Sequence, residues 1–176
     1  VLDLEGFDIK MAREGSTLYL KASYMGPEQQ ELARIYAVDI SEPGRPVIMW
    51  QLDVDHRLYS LAARDGFIYA GGSGVLWVLE AKDGQPGRQS IHNIEGWINH
   101  LEISSGYLYT AGSQGVNSYS LGPKPQLKQS AGLDGYVQQI KVEDGRIWAL
   151  VQAETSSQLA VLQQDSMDII YQQPVE

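Results

Sequence analysis

Four copies of a unit of about forty residues run end to end through this chain, each marked by a small-residue turn with an aromatic three positions further on. Three copies are clear, at Asp65-Gly66 with Tyr69, Ser105-Gly106 with Tyr109, and Asp144-Gly145 with Trp148; Gly15 with its neighbour Tyr19 marks a looser first one. The aromatics Tyr19, Tyr69, Tyr109 and Trp148 stand 50, 40 and 39 residues apart, a period that belongs to repeat architectures. Twelve positions before each aromatic stands a second marker, Phe7, Arg57, Trp97 and Tyr136, and the two series keep the same intervals. The ten extra residues in the first interval therefore form an insertion within one unit, placed at the polar stretch Met25 to Glu31 and expected as an extended surface hairpin loop.

Every unit divides into four strand-length apolar runs. In the second these are Leu58 to Ala63, Phe67 to Ala70, Val75 to Leu79 and a weaker run around Gln89 to Ile91. Asp65-Gly66, Ser105-Gly106 and Asp144-Gly145 supply the positive φ that tight hairpins need between the first and second strands. Gly72-Ser73-Gly74 and the stretch from Gly112 to Gly115 turn the chain again, while Pro43, Pro46, Pro86, Pro123 and Pro125 fall before the outermost strands, where a missing donor matters least. No helical apolar period extends beyond two turns, which excludes the helical solenoids, and the rungs of a parallel β-helix are shorter.

The expected fold is all-β: a β-propeller of four repeated four-stranded antiparallel blades, at about 7–52, 57–92, 97–130 and 136–172, within a single segment over 1–176. Four blades are few for a closed ring. Val1 to Leu4 matches the tail of an outer strand such as Gln51 to Val54, so the favoured expectation is part of a larger propeller, with missing blades completing the ring. A homodimer joined by a twofold axis is the other route.

The run Ile35-Tyr36-Ala37-Val38-Asp39-Ile40-Ser41, followed by the turn through Pro43 and Pro46, resembles the LVIVD repeat. Val78 to Pro86 resembles instead the repeat of quinoprotein-like propellers, except that Arg88 stands where that family places a docking tryptophan. Through that departure no quinone is expected, and no cofactor is assigned. The LVIVD resemblance implies a secreted or surface bacterial protein, hence an extracellular or periplasmic location.

Composition narrows the partners. A formal charge of −9, with 22 acidic against 13 basic residues and no basic block, disfavours nucleic acid. No run of eighteen apolar residues occurs, so no membrane insertion is expected. There is no cysteine, and the three histidines His56, His92 and His100 lack metal-ligand spacing, so no metal site is assigned. Asp53, Asp55 and His56 read as a solvated loop because Arg57 and Tyr59 break the calcium-loop spacing. Ser73 and Ser113 read as turn residues rather than nucleophiles, since no strand-to-helix context surrounds them.

Two sets of residues are candidates for function. Phe7, Arg57, Trp97 and Tyr136 each precede an innermost strand, which places three aromatics and an arginine either at a binding rim or as caps on the core. His100, three residues into its strand, shares its register with Lys10, Ser60 and Gln139, a set suited to a wet channel wall. The partner-strand aromatics Tyr19, Tyr69, Tyr109 and Trp148 read as wedges between blades. The expected function is a non-catalytic scaffold that presents a loop face to a protein or glycan through Phe7, Arg57, Trp97, Tyr136 and His100, with no catalytic residue assigned. The alternative is a lyase or hydrolase at the channel mouth, using Lys10, His100, Glu102 and Tyr136.

Overall fold

The computed structural model describes residues 4–42, 44–82 and 85–175. Pro43 of the LVIVD-like turn, Asp83 and Gly84 of the quinoprotein-like stretch, and Val1 to Asp3 lie outside them. The described residues form fourteen strands in three antiparallel sheets and no helix. The first sheet orders β1 (Phe7–Glu14), β2 (Thr17–Met25), β3 (Glu31–Asp39) and β4 (Val47–Val54) as a meander. A six-stranded sheet contains β5 (Leu58–Arg64), β6 (Phe67–Lys82), β7 (Gln85–Ser104), β8 (Tyr107–Gly112), β9 (Gly115–Ser120) and β10 (Leu127–Ala131). A second four-stranded meander, β11 (Tyr136–Glu143), β12 (Arg146–Gln152), β13 (Ser157–Gln163) and β14 (Ile169–Pro174), ends the chain.

Three sheets stand where the repeat calls for four, and the cause is local. A straight strand as long as β6 would span roughly 50 Å, yet the Ala81 N–H donates to the Gly66 carbonyl at 2.8 Å, so β6 folds back on itself about Gly74, whose φ is +71°. Within β7, residues from Gln85 to Asn93 pair with β6, and Trp97 pairs with Ser73 beyond a register shift, whereas Ile98 to Ser104 pair with β8; Gly96, at φ +72°, lies at that shift. Two repeat units are thus joined by continuous extended backbone, and none of the three sheets closes on itself among the described residues.

The tight turns follow from their residues. Asp65-Gly66, Ser105-Gly106 and Asp144-Gly145 all have positive φ at both positions, the backbone of the hairpin turn that matches strand twist. The insertion in the first unit lengthens β2 and β3 and pairs Met25 with Glu31, leaving only residues 26–30 as loop.

Period-two alternation turns one side of each unit to the unit before and the other to the unit after. Tyr19, Ile35 and Trp50 of the first unit pack with Leu61, Ile68 and Trp77 of the second. Tyr69 and Val78 meet Ile98, Leu101 and Leu108. Tyr109 and Val116 meet Val137, Ile140 and Ile147. Each fully buried Leu or Ile contributes about 1.5–3 kcal/mol, so the faces between units carry the stability. Hydroxyl tips stitch the same faces: the Tyr69 hydroxyl accepts from the Gly122 N–H at 2.7 Å and the Tyr109 hydroxyl from Gln164 Nε2 at 3.0 Å, both on the following unit.

Trp148 departs from its expected role as an inter-blade wedge. It stays 38% exposed, because its side of β12 is the outer face of the last sheet and no unit among the described residues covers it.

Candidate functional site

The residues opening the two middle units are held by their own carbonyls. The carbonyls of Arg57 and Trp97 accept from the N–H groups of Ser73 and Ser113 at 3.3 and 3.1 Å. They press so closely on the second strand that a Cβ on Gly72 or Gly112 would lie 2.2 or 1.8 Å from them. Neither glycine has positive φ; both are required for space. The Trp97 N–H also donates to Ser113 Oγ at 3.0 Å, which anchors the tryptophan backbone while its ring stays 42% exposed.

Trp97 meets Tyr136, itself 37% exposed, with ring centroids 6.4 Å apart and tilted by 58°. The two therefore form a continuous aromatic ledge across adjacent units. Beneath Trp97 opens a groove of about 450 Å³ between the β7 backbone and β8 to β10, lined among others by Asn93, Glu95, Gln114, Asn117 and Tyr119. Sequence reasoning found the ledge and missed the groove. Its signal was the third-strand run Val116 to Leu121, which carries Asn117, Ser118 and Ser120 among its apolar residues.

Arg57 and Phe7 occupy the same register on the two preceding units. Phe7 is exposed, but Arg57 is tied up: its Nε lies 2.7 Å from the Glu31 carboxylate, and its guanidinium lies over the Tyr59 ring at 5.2 Å. That contact belongs to a chain of polar groups. Glu31 accepts from Ser23 Oγ, Ser23 Oγ accepts from Lys21 Nζ, and Lys21 Nζ donates to both the carbonyl and the carboxylate of Asp8. Lys21 is fully buried, with three acceptors at 2.8 to 3.1 Å, the arrangement a buried ammonium requires. Its hydrogen bond holds the Asp8 carboxyl below the ordinary range; partial burial opposes this and Lys10 adds to it.

The second candidate set converges. Lys10, Ser60, His100 and Gln139 line one cavity of about 340 Å³, with Asn99 and Tyr59, so the first strands of all four units reach it. His100 Nδ1 accepts from the Ile140 N–H at 3.4 Å. Burial pushes the imidazole below its ordinary value, Glu102 opposes this, and Lys10 and Lys141 reinforce it. Glu102 is itself paired with Lys141 at 2.9 Å. Asp53 of the acidic cluster is bound by Arg34, which accounts for its charge.

Neither a protein-family model nor a curated protein sequence matches this chain. Solved structures do match its fold. The computationally designed Ika8 protein superposes with a TM-score of 0.65 at 10% identity, over 94% of this chain and 61% of that one. This chain thus spans less than two thirds of that protein's length. The computationally designed Ika4 protein superposes with a TM-score of 0.63 at 16% identity, over 85% of this chain and 90% of that one. At such identities the likeness concerns the fold alone.

Proposed function

We propose that this chain is a β-propeller segment of LVIVD-like type that acts as a non-catalytic binding domain and takes a glycan at the groove under Trp97. Support for the radial arrangement comes from the side-by-side packing of consecutive units and from a cavity lined by the first strands of all four. The observation that carries the binding reading is the Trp97–Tyr136 ledge above a groove lined by amide and carboxylate side chains. An exposed aromatic face covers the apolar side of a sugar ring at little rotamer cost, and Asn93, Gln114 and Asn117 offer donors and acceptors to its hydroxyls. The enzymatic alternative finds its residues engaged elsewhere: His100 Nδ1 takes a backbone N–H and Glu102 is paired with Lys141.

The test is a glycan array with the 176-residue chain, followed by titration of the best oligosaccharide against tryptophan fluorescence. Trp97→Ala is expected to weaken binding by about tenfold or more, with the melting temperature nearly unchanged because the ring is exposed. Unaltered affinity in that variant refutes the site.

A further inference from the structure

The repeat makes the two ends of the array comparable with its interior, position by position. Tyr19, Tyr69 and Tyr109 all point at the next unit and are buried there; Trp148 holds the same register, 38% exposed. The rows beside it continue the apolar surface. Trp148 pairs with Val161 and Val161 with Tyr171, which is 47% exposed, while Leu150 pairs with Leu159.

On the receiving side, each interior unit meets its predecessor through the residue four places after its opening position: Leu61, Leu101 and Ile140, all buried. The first unit carries Met11 there, 67% exposed. Leu4 packs against the cluster on the same face, where the Tyr36 hydroxyl donates to the Glu5 carbonyl at 3.1 Å, and Met11 stays open beside it.

Polar stitches mark the second and third of the interior junctions. Ser60 Oγ donates to the Ile98 carbonyl at 3.5 Å and Asn99 Nδ2 to the Val137 carbonyl at 3.3 Å, each reaching the residue after the next unit's opening position. Gln139 stands in the Ser60 donor register on the last unit, and Asp8 stands in the acceptor register on the first, where its carbonyl already accepts from Lys21 Nζ and has a second lone pair. Among the described residues the last unit thus carries an exposed donating face, while the first carries an exposed receiving edge at Met11 beside Leu20, Tyr36 and Val38, which are already covered.

We propose that two copies of this chain pair head to tail, the Trp148 face of one seating on the Met11 face of the other and reciprocally, so that eight units surround a common axis. The occupant is a second copy because the receiving register belongs to this repeat, and a twofold arrangement covers the Trp148 face and the Met11 edge of both chains at once. Ring closure rests on the radial part of the functional reading above and is independent of glycan binding.

Sedimentation of the 176-residue chain over a wide concentration range tests this, with Trp148→Asp and Met11→Asp as variants. Both side chains are exposed, so circular dichroism of the variants should match the parent. The parent is expected to show a monomer–dimer equilibrium, and either variant to raise the dissociation constant by about 100-fold. An equimolar mixture of the two variants should recover association in part, since one of its two interfaces is intact. A parent that stays monomeric at about 100 μM, well above a micromolar dissociation constant, overturns the proposal, as does a ladder of higher oligomers. Pairing of Met11→Asp at parental strength also overturns it, because that result means Trp148 faces meet each other. Retention of glycan affinity by Trp148→Asp separates a failure of this pairing from a failure of the Trp97 site.

Discussion

Gly112→Ala isolates the contact that holds Trp97 in place. The backbone dihedral at Gly112 is one any residue adopts, so the substitution acts through space alone. The new Cβ would meet the Trp97 carbonyl oxygen at 1.8 Å and its carbon at 2.8 Å, whereas ordinary contact begins at 3.4 Å, so the strands must part at the Ile98–Gly112 pair. That movement strains the two hydrogen bonds joining Trp97 and Ser113, of 3.1 and 3.0 Å, each contributing about 1 kcal/mol. Overpacking strain adds about 1–3 kcal/mol, and the stiffer unfolded chain returns about 0.4–1 kcal/mol. The net expectation is a loss of about 2–5 kcal/mol, seen as a lower urea midpoint at unchanged slope. Gly132→Ala is the control, because nothing lies within 4 Å of its added Cβ and its φ is not positive; it should be neutral or slightly stabilising. Equal stability of the two variants would refute the claim that the glycine is there for the Trp97 carbonyl.

Two further outcomes follow from burial. Because burial lowers the folded His100 pKa below the ordinary 6.5, the unfolded chain takes up its proton first as the pH falls. The associated stability is complete above about pH 6.5 and is lost progressively below it; melting temperatures between pH 7.5 and 5 should fall less steeply in His100→Gln than in the parent. Leu108→Ala, at a fully buried position between the second and third units, should cost about 2–5 kcal/mol in denaturant unfolding, while Leu127→Ala, at an exposed one, should change little.

The turns were legible because their chemistry is local: an Asp-Gly or Ser-Gly pair tolerates positive φ at both positions wherever it stands. The ledge was legible through register, since a repeat that keeps phase over four copies carries Trp97 and Tyr136 to equivalent places on adjacent units. Two features were not. The fusion of the middle units into one sheet depends on how extended the backbone stays between Asn93 and Ile98, which no side-chain pattern encodes. Lys21 lies in a strand position that the other units fill with Gly71, Ala111 and Leu150, and its burial depends on Asp8 and Ser23 arriving from elsewhere in the fold.

Period and turn residues, read along the chain, determine that it forms repeated antiparallel hairpins and which side of each strand faces a neighbouring unit, because both properties follow from residues a few places apart. Whether a neighbour is present on that side is a tertiary matter. Tyr109 and Trp148 obey one rule of spacing, yet packing against the next unit buries the first and leaves the second open to solvent. The groove under Trp97 likewise exists only where strands from two units diverge, a volume set by the relative placement of backbones that meet sixteen residues apart in sequence, at Trp97 and Ser113.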